Sequence, residues 1–359
     1  MGVMCPLSGT MARTGELYQA AIETAVQHLE ADGFLENYTL KFEYFDDQGT
    51  TDGAPTAASL ALNNEVDVCI GHVLTTMILV SGQFFEDAEI PLIGIVSGPA
   101  SVQQGWDYFH IGTVTDADAA GVLAEYLVEE KGLERVFLLA RNDEGGMAGA
   151  EAVMTELERL GKPAVGYELF ATDDTDFTAQ ILKAKGAQAQ AIIGYGLQNA
   201  NTYTAYQQIE SLIGDVPNDI YYCGSTSFAQ PIMLELWPHE DLEGVVFPTG
   251  YIPNPDDPFV NRFTEDYTKN DKLNLPPGDV PARVYDAVYN IAQALNDMGV
   301  YDVDADDFTV KLNDALSNVK RTGVQGDWDY GAFDDGRGLA KGNVGMWHAD
   351  GTMSKAYPK

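Results

Sequence analysis

Small hydroxyl residues stand just after several apolar strand-like runs. Ser8-Gly9 follows the run 2–5, Thr75 and Thr76 follow 66–70, and Ser97-Gly98 follows 91–95. Hydroxyls and backbone amides grouped in this way suit a carboxylate, because ligands of a doubly wound sheet sit outside the carboxyl ends of its strands, where helix N-termini already favour an anion. Each of these residues also has a plainer use as a helix cap or turn former. Asp116 stands where the alternation of strands and helices restarts. It could receive a ligand ammonium there, or cap the helix that begins at 117.

Other chemistries leave no trace. The chain contains no G-x-x-x-x-G-K-[ST] loop, no H-E-x-x-H and no G-x-S-x-G. Gly194-Tyr195-Gly196 starts like a dinucleotide fingerprint, but Asn199 stands where the third glycine belongs. The histidines at 28, 72, 110, 239 and 348 show no i, i+4 pairing, so neither a metal site nor any other cofactor is expected. Cys5, Cys69 and Cys223 each lie in or beside an apolar run and read as small buried hydrophobes. Whether Cys5 and Cys69 pair is left open by spacing alone.

The elements that would position these residues alternate along the chain. Runs of strand character at 2–5, 38–44, 66–70 and 91–95 are separated by helical patterns over 12–31, 52–64 and 75–87. After Asp116 the rhythm resumes with strands at 135–140, 164–170, 191–195 and 220–223, each followed by helical periodicity. Beyond 244–247 come helices at 257–269, 281–298 and 306–316, then short strands ending at 345–348 before an Asp350-Gly351 turn signal. This is the pattern of an α/β protein with two doubly wound, Rossmann-like lobes.

Composition agrees. A chain of 359 residues, 45% hydrophobic, is long enough for two cores, and its formal net charge of −35 repels phosphate backbones, which argues against nucleic-acid binding. The acids are scattered among apolar residues, as on a folded surface, and no run of about 18 apolar residues suggests a membrane span. The apolar strand at the very start is consistent with a secretion signal removed ahead of it.

The order of these segments resembles the type I periplasmic solute-binding proteins of the leucine/isoleucine/valine-binding kind. The resemblance is carried by Cys5-Pro6-Leu7-Ser8-Gly9, Phe45-Asp46-Asp47, Ile70-Gly71-His72 with Thr75, the Asp116 segment, Thr175-Asp176-Phe177-Thr178, Arg283-Val284-Tyr285-Asp286-Ala287-Val288 and Trp347-His348-Ala349-Asp350-Gly351. It implies the type I periplasmic binding protein fold and a non-catalytic receptor that closes by hinge motion on a small carboxylate, foremost an amino acid. The implied lobes are 1–116 with 248–327, and 117–247 with 328–359, with hinges at 116–117, at 246–248 and before Trp328. It further implies an ABC transporter permease as partner, a monomer, and a location in the periplasm or at the cell surface.

Residue by residue, the resemblance places Thr75, with Leu74 beside it, and Ser97-Gly98 at the ligand carboxylate, Asp116 at the ammonium, and Thr14 where relatives often carry a covering aromatic ring. Gly145 and Leu197 stand where the second lobe often has tyrosines, and Ser225 where a second acid is expected. Those departures point to a more open pocket and to a polar or bulkier amino acid. An acid without an amino group, or a short amide, is the alternative if Asp116 only caps its helix. The other reading of the whole is the sensing domain of a signalling receptor, which reuses this architecture.

Overall fold

The computed structural model describes all residues except 36, 172, 173, 198, 199, 232 and 359, so Asn199 of the interrupted glycine motif lies outside the described residues. The chain divides into two compact units, Met1–Thr115 with Pro255–Ala340 and Asp116–Asn254 with Lys341–Lys359. Elements are numbered along the whole chain.

The first unit is built on the strands β1 (Gly2–Cys5), β2 (Glu43–Asp46), β3 (Cys69–Ile70), β4 (Leu92–Gly94) and β5 (Phe109–Ile111), which form a parallel sheet in the order β2-β1-β3-β4-β5. Val3, Met4 and Cys5 have no exposure, so β1 is covered on both faces and reads as a continuous apolar run without alternation. The helices α1 (Ala12–Ala31), α2 (Ala54–Asn63) and α3 (Thr75–Asp87) supply the crossovers. Three later helices, α9 (Pro258–Asn270), α10 (Asp279–Met298) and α11 (Phe308–Leu316), also belong to this unit. Tyr18, Ala21, Ala25 and Leu29 make the buried stripe of α1, which packs against α10. The short antiparallel pair β11 (Lys320–Thr322) and β12 (Asp327–Asp329) follows α11.

Register explains the cysteines. Gly2 lies opposite Cys69 and Cys5 opposite Asp46, so the thiols of β1 and β3 are offset by three residues, roughly 10 Å along the strands. Cys5, Cys69 and Cys223 are all buried free thiols, as small hydrophobes would be.

His110 of β5 is also buried, with Nε2 2.9 Å from Asn313 Oδ1 and its ring edge-on to Tyr330 at 5.1 Å. Burial pushes its imidazole down to about 4, against a smaller opposing effect of the Asn313 hydrogen bond. The unfolded chain, with an ordinary His near 6.5, binds this proton first as pH falls, so the stability this group contributes is present above about pH 6.5 and lost on acidification. A loss of about 2 kcal/mol between about pH 7 and pH 5 is expected from this group. Urea melts of the wild type and His110→Gln across that range check it, the variant's stability falling less steeply.

The second unit holds β6 (Val136–Arg141), β7 (Gly166–Phe170), β8 (Ala191–Tyr195), β9 (Tyr221–Gly224), β10 (Val246–Thr249), β13 (Asn343–Trp347) and β14 (Met353–Tyr357). Their order is β14-β13-β10-β9-β8-β6-β7, parallel except where β13 pairs with β10 and β14. The helices α4 (Asp116–Glu125), α5 (Glu144–Arg159), α6 (Thr178–Gly186), α7 (Ala200–Leu212) and the single turn α8 (Met233–Leu236) surround it. The first five strands of each unit thus repeat one doubly wound order, with the topological switch between β1 and β3 in the first and between β6 and β8 in the second. The Asp350-Gly351 signal marks the β13–β14 turn, where His348 N donates to Thr352 O.

Three expectations about organisation need correcting. Asp116 opens α4 and belongs to the second unit. Residues 246–248 are no hinge, because β10 is hydrogen-bonded to β9 and β13 through them, and the change of unit comes after Asn254. The last change comes after Ala340 and not before Trp328, because the buried indole of Trp328 donates to Asp286 Oδ2 (3.2 Å) and the buried Tyr330 hydroxyl to Ile111 O (3.0 Å), both in the first unit. Within 38–44 only Glu43 and Tyr44 enter the ladder, and β5 was not expected at all.

Candidate functional site

The carboxyl ends of β1, β3 and β4 are where the first unit gathers its candidates. Thr75 is the first residue of α3, and its side chain does not cap that helix. Its Oγ1 instead accepts a hydrogen bond from Gly98 N (3.2 Å), across 23 residues of sequence. A Cβ at Gly98 would stand 2.4 Å from that oxygen, so glycine is what lets the β4 loop approach. With Oγ1 accepting from Gly98, its own O–H stays available as a donor. The Gly98 amide, expected to meet a ligand, is correspondingly occupied by Thr75. Ser97 is half-buried and makes no hydrogen bond to any described residue. Leu74 is 38% exposed beside them.

Ser8 takes the plainer of its two readings, that of a turn former. It does not cap, and its hydroxyl donates to Asp46 Oδ2 (2.5 Å) while the amides of Leu7, Ser8 and Gln48 converge on Asp46 Oδ1. Burial raises the Asp46 carboxyl, but the Ser8 hydroxyl and these amides outweigh it and hold it below the ordinary carboxylate range. Ser8 is therefore committed to the turn after β1. Thr14 is half-buried in the first turn of α1 and Thr76 is exposed; neither is hydrogen-bonded to another candidate.

In the second unit, Asp116 is half-buried at the start of α4, and Asp118 shares that first turn. The Tyr195 hydroxyl at the end of β8 is held well above its ordinary range, chiefly by burial and then by the negative charge of Asp116, which places the two near each other. The Tyr195 ring covers Gly149, where a Cβ would come within 2.0 Å of it. Gly145 falls in the first turn of α5. Leu197 faces inward: it has no exposure, packs in the core with Tyr222 and Phe228, and stands 2.3 Å from where a Gly194 Cβ would be. A tyrosine-like lining from its side chain is therefore absent here. Ser225 is 8% exposed and shares a hydrogen bond with Ser227 Oγ (2.9 Å), which in turn donates to Leu197 O (2.9 Å). The loops after β8 and β9 are thereby tied to each other.

Two features at these strand ends escaped sequence reasoning. Arg141, at the end of β6, donates from Nη1 to Gly196 O (3.1 Å) and is ion-paired with Asp143, bridging the switch between β6 and β8. Asp47 and His72, after β2 and β3, form a fully buried pair at 2.6 Å. A lone cation at a strand end of so acidic a chain could have signalled the first; nothing in a linear reading pairs Asp47 with His72. Among the described residues no group of three or more His, Cys, Asp or Glu could hold a metal, and no helix is long and apolar enough to cross a membrane.

The sequence profile of the periplasmic binding protein family matches residues 1–352, and the chain belongs to that family. The Leu/Ile/Val-binding protein of Citrobacter freundii is 22% identical over 365 residues, covering 99% of this chain and 92% of that one. For Leu/Ile/Val-binding protein homolog 3 of Brucella melitensis the match is 24% over 193 residues, so the chain spans about half the length of that relative (52%). Among solved structures, the branched-chain amino acid transporter substrate binding protein LivJ of Streptococcus pneumoniae, in complex with isoleucine, superposes with a TM-score of 0.78 at 20% identity, covering 99% of each chain. The fold is thus the type I periplasmic binding protein fold, and the protein is a solute-binding protein rather than an enzyme.

Proposed function

We propose that this protein is the extracytoplasmic receptor of an ABC transporter and captures an amino acid, with the first unit holding the α-carboxylate and the second unit the α-ammonium. The observation that carries the reading is the Thr75–Gly98 pair, which brings two loops together and leaves a hydroxyl proton to point at an anion. Ser97, with no partner among the described residues, adds a second donor. Asp116 is the ammonium acceptor, and the ligand-bound protein presents the surface a permease recognises. Isoleucine bound to the Streptococcus pneumoniae relative is consistent with this class of ligand. The inward turn of Leu197 and the glycine at 145 leave a less aromatic lining, which favours a polar or bulkier amino acid.

A thermal-shift screen of the purified protein against amino acids, their deaminated acids and short amides tests it. A ligand at about 100 times its dissociation constant stabilises the folded state by about 2.7 kcal/mol. Shifts confined to α-amino acids support the reading; shifts only with acids or amides keep the receptor and remove the ammonium role of Asp116. Thr75→Val is expected to weaken amino-acid binding by about 1–3 kcal/mol through loss of the hydrogen bond to a buried carboxylate oxygen, as read by isothermal titration. A variant that melts earlier but binds equally well would limit Thr75 to fixing the loop.

A further inference from the structure

We propose that His72, held by Asp47, is the positioning residue of the carboxylate half-site: it sets the distance between the two loops that carry Thr75 and Ser97-Gly98. This deepens the receptor reading and rests on it, since Thr75 matters as a ligand anchor only there.

The two loops form a closed ring. Thr75 lies three residues beyond His72, and Gly98 three beyond Ile95. One hydrogen bond, from Ile95 N to His72 O (3.1 Å), closes the ring at its base, and the other, from Gly98 N to Thr75 Oγ1 (3.2 Å), closes it at its tip. Gly71 N also donates to Ile93 O (3.0 Å), so the base continues the ladder between β3 and β4. Beyond the base, Val73 and Thr75 are half-buried while Leu74 and Thr76 are exposed. His72 is the side chain of this loop that reaches the interior, with no exposure.

What holds His72 is itself pinned. Asp47 Oδ2 lies 2.6 Å from His72 Nδ1, and Asp47 Oδ1 accepts from Gly49 N (2.9 Å). The Asp47 amide donates to Cys5 O (3.2 Å), so the carboxylate is referenced to the end of β1 and the turn after β2. His72 Nε2 is buried and finds no hydrogen-bond partner among the described residues, which makes Asp47 the single polar partner of the imidazole among them. Through that tie three neighbouring strand ends, β1, β2 and β3, position one hydroxyl. Because His72 has no exposure it does not itself meet a ligand.

The test uses the full chain with L-leucine as probe. An asparagine at 72 offers its amide about where Nδ1 lies, whereas a glutamine offers it where Nε2 lies. His72→Asn is therefore expected to keep the wild-type dissociation constant and His72→Gln to raise it about tenfold, the equivalent of one hydrogen bond. In a Thr75→Val background His72→Gln is expected to change affinity less than about twofold, because the group it positions is gone. Independently of any ligand, amide exchange at Gly98 and Ile95 is expected to accelerate about tenfold in His72→Gln, with Val3 and Met4 of β1 unchanged. Unchanged exchange at Gly98, or additive losses in the double variant, overturns the positioning role. Failure of the wild type to bind L-leucine would count against leucine as the ligand, and indifference of binding to Thr75→Val against Thr75 as the carboxylate anchor, while in either case the exchange measurement would still decide the role of His72.

Discussion

Replacing Asp286 by alanine is expected to remove about 3–5 kcal/mol of stability, the range for breaking a buried charge pair by deleting one partner. Asp286 sits on α10 without exposure, and its carboxylate is surrounded by donors. Oδ1 accepts from Arg321 Nη1 (3.1 Å) and Val324 N (3.0 Å), and Oδ2 from Gln325 N (3.0 Å), Gln325 Nε2 (3.3 Å) and Trp328 Nε1 (3.2 Å). Gly323 permits this approach, since a Cβ there would stand 2.4 Å from Oδ1. Alanine would strand a guanidinium, two amides and an indole N–H away from water at once, each a costly group to leave unmade. The Arg321 guanidinium would keep only its bond to Asn290 Oδ1 and its place over the Tyr289 ring, 5.0 Å from the centroid. Urea denaturation reads the loss as a lower midpoint. Asp286→Asn, which keeps one acceptor oxygen but turns an amide toward donors, is expected to fall between wild type and alanine. A loss below about 1 kcal/mol for alanine would show that the donors find water instead.

The second large effect is expected in binding. Asp116→Ala should weaken an α-amino acid by about 2–5 kcal/mol, because the ammonium would be buried without its counter-charge. The fold should lose much less. Asp116 lies in the first turn of α4, where a negative charge contributes about 0.3–1 kcal/mol through the helix dipole, and Asp118 remains in the same turn to supply part of it. Asp118→Ala is the matched control: it removes an equal charge from the same helix end, so comparable stability with intact binding separates a ligand contact from a field effect. Equal affinities of wild type and Asp116→Ala for an amino acid would leave the residue as a helix-end acid only. Titration calorimetry with an amino acid and its deaminated analogue makes the comparison, since only the first carries the charge that Asp116 would meet.

What the linear order of residues determined here is the alternation itself. Apolar runs such as Val3-Met4-Cys5 and Ile192-Ile193 can only be buried on both faces, and helices with one apolar stripe must return over them, so two doubly wound lobes follow from local periodicity. The same logic places Thr75, Ser97 and Ser225 just beyond strand ends, because a polar residue that ends an apolar run has to leave the sheet there. In β5 a histidine interrupts the apolar run, Phe109-His110-Ile111, so no continuous strand pattern stands out there.

Partner choice is where local signals stop. The unit that Trp328 and Tyr330 join is settled by the Asp286 carboxylate and the Ile111 carbonyl, both distant in sequence. Between a ligand donor and a turn former, Ser8 is decided by Asp46, which takes its hydroxyl, and the Gly98 amide is taken by Thr75. The resemblance sets Leu197 where relatives often carry a tyrosine, yet the absence of a side chain at Gly194 gives it an inward seat that no single-residue property encodes. The Asp47–His72 pair belongs to the same class. Sequence distributes donors, acceptors and apolar faces along the chain; only the packed structure, where buried polar groups must find partners, decides which of them remain for a ligand.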